Sequence, residues 1–375
     1  MVSAMFIEND LTLSQKIASL NWWLILLICC VASVGIASLY SAAGGSMEPW
    51  ASRQLMRFGV GLVGMMVIAL VNIKWWYRLT WPLYFVGLIL LLIVEIKGHV
   101  GMGAQRWIDL GFMQLQPSEL MKIAVVMALA RHFHGANPEQ ARHLSFLIVP
   151  ALVIIAPVAL VLLQPDLGTS LMIIMAGAGM VFMAGAPIWL FVAAIILVGI
   201  SIPVVWQFLH AYQKQRIMTF LDPESDPLGA GYHIIQSKIA IGSGGIEGKG
   251  FLQGTQSHLN FLPEKQTDFI FTLWVEEWGL LGGLGLLGVF LLIFISALRT
   301  SLKCKHNFGK YLALGIGLNF SLYVFINISM VMGLIPVVGA PLPLVSYGGT
   351  SMLAALIGFG LMMSCSIYRH SKVTR

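Results

Sequence analysis

The segment Gly254-Thr-Gln-Ser-His-Leu-Asn-Phe-Leu-Pro-Glu-Lys-Gln-Thr-Asp-Phe-Ile-Phe271 is polar and charged, and it runs directly into an apolar stretch over 270–298. An apolar stretch of this length is typical of a helix that spans a lipid bilayer. Asp268 lies at the boundary between the two parts. Because ionisable side chains at a membrane helix often mark functional sites, Asp268 is the first candidate for chemistry.

The composition of the whole chain indicates an integral membrane protein. Of its 375 residues, 58% are hydrophobic and 10% are charged, and the mean hydropathy is +0.85. These charges are too few to cover a soluble domain. The net charge of +6 is explained by loops facing the cytoplasmic leaflet, so nucleic acid is not an expected partner. The first 21 residues lack the basic start of a signal peptide.

The apolar runs predict an all-α, polytopic membrane protein with about ten transmembrane helices. They lie near 22–40, 55–73, 79–96, 119–131, 146–163, 167–186, 188–208, 270–298, 310–335 and 350–368. The fourth run is short and starts with Gln116-Pro-Ser-Glu119, which is a helix-start pattern. We therefore expect this helix to begin within a cavity or a thinned part of the bilayer.

The charge distribution predicts that both termini are cytoplasmic. In that orientation, lysine and arginine are frequent in the short inner loops and near the C-terminus, as the positive-inside rule requires. Of the 16 acidic residues, only Glu8, Asp10 and Glu139 fall on the inner side. The chemistry is therefore expected on the outer, periplasmic face.

The connection between the seventh and eighth predicted helices, residues 209–269, is far longer than the others. Loops of this length are functional or disordered. Disorder is disfavoured because the stretch 232–241 has the pattern of an amphipathic helix, and Phe251 and Phe261 supply apolar anchors. We predict that 209–269 is a folded outer cap over a cavity, within a single membrane domain that covers 1–375.

A glycine-rich stretch in this cap, Gly242-Ser-Gly-Gly-Ile-Glu-Gly-Lys-Gly250, has two interpretations. It departs from the phosphate-loop motif, because Ser243 replaces the first glycine and Gly250 replaces the serine or threonine. It is either a flexible turn that closes the cap or a set of backbone amides beside a phosphate.

Asp268 itself has two compatible interpretations. An aspartate before an apolar helix often caps the helix N-terminus. The alternative is a catalytic base, kept ionised by the positive end of the helix and by Lys265.

The outer loop before the fourth predicted helix carries Arg106 and Trp107, and the helix itself starts with Glu119 and Lys122. Glu119 and Lys122 are three residues apart, so they form either a local ion pair or part of a wet site in which Arg106 and Lys122 bind an anion. Trp107 then lies on a lipid or sugar face, although tryptophan is common at membrane interfaces.

Three further features are polar at membrane depth. Asp166 has the position of a helix cap. At least one of Glu276 and Glu277 should face a polar interior, because a lipid-facing carboxylate is costly. The irregular segment 340–351 is tolerable only if it lines a cavity or is buried by protein.

Several of these segments together carry a resemblance to a known family. They are Gly103-Ala-Gln-Arg-Trp-Ile108, Gln116-Pro-Ser-Glu-Leu-Met-Lys122, Gln164-Pro-Asp-Leu-Gly-Thr169, Gly254-Thr-Gln-Ser257, Leu262-Pro-Glu-Lys265, Thr267-Asp-Phe-Ile-Phe271, Glu276-Glu-Trp-Gly-Leu-Leu-Gly282 and Pro341-Leu-Pro-Leu-Val-Ser-Tyr-Gly-Gly349. The chain resembles the SEDS family (shape, elongation, division and sporulation), bacterial membrane glycosyltransferases that polymerise peptidoglycan from lipid II. It looks most like the rod-shape branch of that family.

The resemblance implies roles for individual residues. Asp268 becomes the catalytic carboxylate. Substrate-binding residues are expected from the other matching motifs: Arg106, Trp107, Gln116, Glu119, Lys122, Asp166, Lys265, Thr267 and Ser346. Arg106, Trp107, Glu119 and Lys122 are expected to line a central cavity. One position departs from the family pattern, since Gln266 stands where the family commonly has histidine.

The implied reaction joins a GlcNAc 4-hydroxyl to the anomeric carbon of a MurNAc held by undecaprenyl diphosphate, with inversion. A divalent cation, Mg or Mn, is compatible with this chemistry, with Glu119 or Asp268 as its partner, but the sequence does not place its site. Expected partners are lipid II, the nascent lipid-linked glycan, membrane lipid, a class B penicillin-binding protein and the rod-elongation complex of the bacterial inner membrane. The alternatives are a flippase or transporter of the lipid-linked precursor, and a scaffold that organises a partner.

Overall fold

The structure is a computed structural model that describes residues 12–97, 99–101, 104–109, 111, 114–137, 139–209, 211–222, 230–258 and 265–373. Its helices are α1 (Leu13–Ala18), α2 (Trp22–Ala42), α3 (Ala51–Leu70), α4 (Ile73–Lys97), α5 (Pro117–His134), α6 (Leu144–Leu163), α7 (Leu167–Met183), α8 (Ile188–Phe208), α9 (Ala211–Leu221), α10 (Ala230–Ser243), α11 (Thr255–His258), α12 (Ile270–Lys303), α13 (Asn307–Val331) and α14 (Gly349–Ile367). The helical, polytopic fold class is thus confirmed.

Eight helices in the described part of the chain are long and apolar enough to cross a bilayer: α2, α3, α4, α6, α8, α12, α13 and α14. Two other predicted spans also form helices. However, α7 has only 17 residues, and α5 carries Glu119 and Lys122 near its start. The chain is therefore an integral membrane protein, while the count of ten spans stays a prediction.

The short, charged helix α5 lies at the centre of the bundle. It begins at Pro117, which suits a first helical position because proline has no N–H to leave unpaired. Its residues are buried on every side, including both charged residues near its start, and it packs against α4, α6, α7, α13 and α14. A helix that is buried all round belongs to a core, so α5 is surrounded by protein rather than lipid.

The opposite case is α8, which has no buried residue along its 21 positions. Its sequence is strongly apolar, with a hydropathy of 2.8 over its most apolar window. A helix that is apolar all round and unburied in the chain suits contact with lipid.

Three short antiparallel strands precede α5, which sequence reasoning did not anticipate. They are β1 (His99–Gly101), β2 (Ala104–Asp109) and β3 (Gln114–Leu115), in the order β1-β2-β3. β2 carries Arg106 and Trp107 and packs against α4 and α5. This small sheet therefore places Arg106 and Trp107 beside the start of the central helix.

The described part of the predicted cap contains three helices, α9, α10 and α11. The predicted amphipathic stretch 232–241 lies inside α10, so that prediction is confirmed. Ser237 of α10 lies 2.7 Å from Thr272 of α12 and donates to the carbonyl of Val331 of α13 at 2.8 Å. These bonds fix α10 to the ends of two spanning helices. Phe261 and the motif residues 259–264 lie outside the described residues.

Candidate active site

Asp268 lies on a turn, residues 265–269, immediately before α12, and its side chain is half-buried. The N-cap of α12 is Phe269 rather than Asp268. The capping interpretation therefore does not account for Asp268. Oδ2 of Asp268 faces Gly339, where a Cβ atom would lie 3.6 Å from it. Gly339 has a φ of +72°, a conformation that glycine adopts without strain.

Three successive carbonyl groups of this turn are bound by donors from elsewhere in the chain. The Tyr347 N–H donates to the Gln266 carbonyl at 2.8 Å, and the Ser346 hydroxyl donates to the Thr267 carbonyl at 2.6 Å. The side-chain amide of Asn327, on α13, donates to the carbonyl of Asp268 itself at 2.9 Å. The turn is therefore fixed from two directions.

Ser346 uses its hydroxyl within the protein. The hydroxyl accepts a hydrogen bond from the Leu342 N–H at 2.7 Å while it donates to Thr267, and Ser346 is only 2% exposed. Its carbonyl accepts from the buried amide of Gln54 on α3 at 3.0 Å. Through these contacts Ser346 supports the turn, and its expected contact with substrate stays a prediction. Thr267 is half-buried, and its carbonyl accepts the hydrogen bond from Ser346.

A buried ion pair lies at the start of α5. The Lys122 ammonium is 2.8 Å from Oε1 of Glu119, with side-chain exposures of 1% and 6%. The Tyr323 hydroxyl of α13 contacts both Glu119 oxygens, at 2.7 and 2.6 Å. The ammonium also lies 4.2 Å from the centre of the Tyr323 ring, a cation–π arrangement. The local ion-pair interpretation is therefore confirmed in geometry.

A narrow, mostly apolar cleft lies between α5, α13 and α14. Its polar lining residues are Glu119, Asn319, Tyr323 and Ser351, and Pro341 and Pro343 of the irregular segment line it as well. Glu119 thus lines this cleft as expected, whereas Arg106, Trp107 and Lys122 are not part of its wall. The prediction that the segment 340–351 lines a cavity is confirmed, and its Ser346 is buried by protein.

Arg106 belongs to a second ion pair, at the start of α7. Its Nε lies 3.3 Å from Oδ2 of Asp166 without hydrogen-bond alignment, and another guanidinium nitrogen donates to the Pro165 carbonyl at 3.2 Å. Asp166 is also the N-cap of α7, because it accepts from the Thr169 N–H at 3.1 Å and the Thr169 hydroxyl at 2.8 Å. The capping interpretation of Asp166 is therefore confirmed. The Arg106 side chain is 21% exposed.

The remaining predicted site residues lie near these groups. Trp107 on β2 is half-buried and stands opposite His99 of β1. Gln116 is the half-buried N-cap residue of α5 and makes no capping hydrogen bond through its side chain. Lys265 is 8% exposed, and burial lowers the pKa of its ammonium because desolvation penalises the charged form. Its role in keeping Asp268 ionised stays a prediction.

Helix α12 breaks at Gly279, and the break explains the glycine-rich stretch of the cap. Gly279 has a φ of 64° and a ψ of −164°, which interrupts the helical hydrogen bonds. Residues 244–250, here called the glycine collar, supply the missing partners through Lys249 N to Glu276 O, Gly250 N to Glu277 O, Leu280 N to Gly245 O and Leu281 N to Ile246 O, at 2.9 to 3.2 Å. The stretch is a turn, as expected, and it is hydrogen-bonded to the broken helix; its flexibility stays a prediction. Five collar N–H groups, those of Gly244, Gly245, Gly248, Lys249 and Gly250, already donate to backbone carbonyls, which leaves the phosphate interpretation without support.

The two glutamates of this region are buried, as predicted. Glu276 is 0% exposed and pairs with Lys249 of the collar at 2.8 Å. The Gln256 N–H donates to the same carboxylate oxygen at 2.8 Å. Glu277 is 1% exposed and accepts a hydrogen bond from Ser41 of α2. Glu276 therefore fixes the cap to α12, Glu277 joins α12 to α2, and neither carboxylate faces lipid.

The divalent cation expected from the chemistry finds no protein site in the described part of the chain. No group of three or more His, Cys, Asp and Glu side chains there could hold a metal ion. The Glu119 carboxylate already accepts from the Lys122 ammonium, and the single Tyr323 hydroxyl lies within hydrogen-bond distance of both its oxygens. The described residues do not fit a protein-held metal ion.

Sequence reasoning missed Gln54, Tyr323 and Asn327. Tyr323 and Asn327, together with Asn319, recur every four residues in the apolar helix α13. Residues at that spacing lie on one face of a helix, and polar side chains within a membrane helix mark functional faces. That signal could have found all three residues of the face. Gln54 has no comparable pattern around it.

A comparison with protein-family models then decides the family. The model of the FtsW, RodA and SpoVE family, described as cell cycle protein, matches residues 15–371. The chain belongs to the FtsW/RodA/SpoVE family. This is the SEDS family that the motifs indicated.

Members of the FtsW/RodA/SpoVE family resemble the chain over almost their whole length. The peptidoglycan glycosyltransferase MrdB of Escherichia coli K12 is 46% identical over 355 residues, which cover 93% of each protein. Stage V sporulation protein E of Bacillus subtilis is 36% identical, covering 95% of this chain and 99% of that protein. The peptidoglycan glycosyltransferase RodA of Treponema pallidum is 31% identical, covering 93% and 98%.

Two solved structures share the fold. One is a chain from a study of how a peptidoglycan synthase complex coordinates polymerisation and crosslinking, with a TM-score of 0.81, 33% identity, and coverage of 94% of this chain and 99% of that chain. The other is the rod shape determining protein RodA of Thermus thermophilus, with a TM-score of 0.72, 27% identity, and coverage of 94% and 98%. The rod-shape resemblance is thereby confirmed.

Proposed function

We propose that the chain is a peptidoglycan glycosyltransferase that polymerises lipid II into glycan strands for cell elongation and rod shape. The observation that carries this proposal is the 46% identity to the E. coli glycosyltransferase MrdB over 93% of both proteins. The transporter and scaffold alternatives are supported by no comparable observation.

The proposed reaction forms a β-1,4 glycosidic bond with inversion. The GlcNAc 4-hydroxyl of one lipid-linked disaccharide loses its proton to a base and attacks the anomeric carbon of a MurNAc. The bond from that carbon to undecaprenyl diphosphate breaks, and the diphosphate leaves with the electron pair. Inversion requires one base near the acceptor hydroxyl and no covalent sugar intermediate.

Asp268 is the proposed base. The turn that carries Asp268, immediately before α12, is fixed by three hydrogen bonds to its backbone carbonyls. A carboxylate held in one geometry is suited to proton transfer. Its side chain is half-buried, which leaves part of it accessible to a substrate.

The leaving diphosphate gains negative charge, so a cation beside it lowers the barrier. Arg106 is the better candidate for this role, because its guanidinium is 21% exposed whereas the Lys122 side chain is 1% exposed and bound to Glu119. A divalent cation bound with the substrate would neutralise part of the charge on the diphosphate.

The same proposal includes the cellular setting. The protein lies in the bacterial inner membrane with both termini in the cytoplasm and the Asp268 turn on the periplasmic side. It works with a class B penicillin-binding protein of the rod-elongation complex. The solved peptidoglycan synthase complex, which contains a chain of the same fold, supports a transpeptidase partner.

The test is polymerisation of purified lipid II by the purified protein in detergent, where transport across a bilayer has no meaning. Wild-type protein should make glycan polymer, and Asp268→Asn, which keeps the size of the side chain, should make none while it remains folded. A wild-type protein that makes no polymer, alone or with its transpeptidase partner, would contradict the proposed activity. Polymer from Asp268→Asn at the wild-type rate would remove Asp268 from the mechanism.

A further inference from the structure

One face of α13 is polar although the helix lies in the core of a membrane protein. Asn319, Tyr323 and Asn327 stand four residues apart on it, and Asn327 is 0% exposed. Tyr323 contacts Glu119, and Asn327 contacts the Asp268 turn. A buried amide at membrane depth is costly unless it is hydrogen-bonded, so its placement calls for a specific task.

The Asn327 amide group binds two carbonyls at once. One N–H donates to the Asp268 carbonyl at 2.9 Å, and the other donates to the Ala340 carbonyl at 2.7 Å. Ala340 directly follows Gly339, the residue that the Asp268 carboxylate faces. A single side chain therefore fixes both the residue that carries the carboxylate and the backbone beside it.

We propose that Asn327 and Ser346 are positioning residues for the reaction, which hold the Asp268 turn so that its carboxylate meets the acceptor hydroxyl. This inference rests on the proposed function, in which Asp268 is the base. Neither residue touches the substrate in this scheme. Each acts through a backbone carbonyl of the turn, Asn327 through Asp268 and Ser346 through Thr267.

Holding consecutive carbonyls restricts the one motion that would displace the carboxylate. The side chain of Asp268 is short, so the direction of its carboxylate follows the orientation of the turn. Rotation of the peptide units at 266–268 requires their carbonyls to leave their donors. Removing one donor frees one peptide unit, and a displacement of about 1 Å in a reacting group can lower a rate about a hundredfold.

The second anchor has its own support. Gln54 of α3 is 1% exposed and donates to the Ser346 carbonyl at 3.0 Å. Tyr347 follows Ser346, and the centre of its ring lies 5.0 Å from the guanidinium of Arg57, which also belongs to α3. The segment that holds Thr267 is therefore fixed to α3 through Gln54, while the donor to the Asp268 carbonyl belongs to α13.

The experiment measures kcat and KM for polymerisation of purified lipid II in detergent. Asn327→Leu keeps the side-chain size and removes both donors, and Ser346→Ala removes one donor. We expect each to lower kcat about 10- to 100-fold with KM changed by less than about twofold, since the substrate contacts remain. Ser346→Thr, which keeps a hydroxyl, should retain a kcat well above that of Ser346→Ala.

Ser364→Ala is the matched control. Ser364 is 0% exposed and its hydroxyl also donates to a backbone carbonyl, that of Val71 at 2.9 Å, but it lies on α14 away from the turn. We expect its loss to lower stability as much as Ser346→Ala does, with kcat unchanged.

Two outcomes overturn the inference. The first is a wild-type kcat for folded Asn327→Leu and Ser346→Ala, and the second is a loss of kcat in Ser364→Ala equal to theirs. If Asn327→Leu does not fold, the kcat of Ser346→Ala decides alone. These results are distinct from failure of the proposed function, which would appear as polymer made by Asp268→Asn or no polymer made by wild type.

Discussion

Replacing Lys122 by methionine should strongly destabilise the protein, because it leaves Glu119 buried without its cation. The Lys122 ammonium lies 2.8 Å from Oε1 of Glu119, and the two side chains are 1% and 6% exposed. Methionine has nearly the shape of lysine without its charge. The substitution therefore removes the ion pair with little change in packing volume.

The magnitude follows from the distance. Two unit charges 2.8 Å apart attract by about 6 kcal/mol at an effective dielectric constant of about 20. Removing one partner of a buried pair costs about 3–5 kcal/mol in measured cases, because desolvation of the pair offsets part of the attraction. A loss of about 4 kcal/mol is roughly a thousandfold change in the ratio of folded to unfolded protein.

The double substitution Glu119→Gln with Lys122→Met tests the origin of that loss. The amide still accepts a hydrogen bond from Tyr323 and carries no charge to be left unpaired. We expect the double variant to recover at least about 2 kcal/mol relative to Lys122→Met, as observed when both members of a buried pair are replaced.

The assay is equilibrium unfolding in mixed micelles with increasing sodium dodecyl sulfate, read by circular dichroism or tryptophan fluorescence. The reasoning is refuted if Lys122→Met unfolds at the same detergent fraction as wild type. It is also refuted if the double variant is no more stable than Lys122→Met, since the loss would then arise from packing and not from an unpaired carboxylate.

Two further predictions concern stability at the two ends of the bundle. Gly279→Ala should lower the free energy of unfolding by about 1–3 kcal/mol because of backbone strain at its φ of 64°, and the new Cβ atom would also clash with the collar. The control is Gly288→Ala, which lies in open space on the same helix and should be neutral or slightly stabilising. Equal effects of the two substitutions in the micelle assay would contradict the role of the helix break. Burial and the neighbouring His134 lower the pKa of His306 from 6.5 to about 4, so its folded form stays neutral where the unfolded form binds a proton. The free energy of unfolding should therefore fall by up to about 3 kcal/mol as the pH drops from about 6.5 to about 4. His306→Gln should remove that part of the pH dependence, and a variant with the wild-type pH profile would contradict this assignment to His306.

The elements that could be predicted are those coded by local pattern. Apolar runs gave the helices of the bundle with small errors at their ends, and the segment 232–241 was found inside α10. Proline at the start of α5 and aspartate at the start of α7 mark helix beginnings by their own chemistry. The carboxylate of Asp268 was found because it interrupts an apolar environment.

The supports of the site could not be predicted in this way, because they depend on contacts that are distant in the sequence. Asn327 lies 59 residues from Asp268, Ser346 lies 79 residues from Thr267, and Gln54 lies 292 residues from Ser346. No local pattern pairs such residues. The hydrogen bonds between the glycine collar and α12 could not be predicted for the same reason, since they form only because α12 breaks at Gly279.

The polar face of α13 relates the two candidate centres physically. Tyr323 binds the Glu119 carboxylate at the cleft, and Asn327, one helical turn further along, binds the Asp268 turn. Because hydrogen bonding holds the helix backbone between them rigid, a shift or rotation of α13 that moves one contact must move the other. Glu119 and Asp268 are therefore not independent sites in this fold.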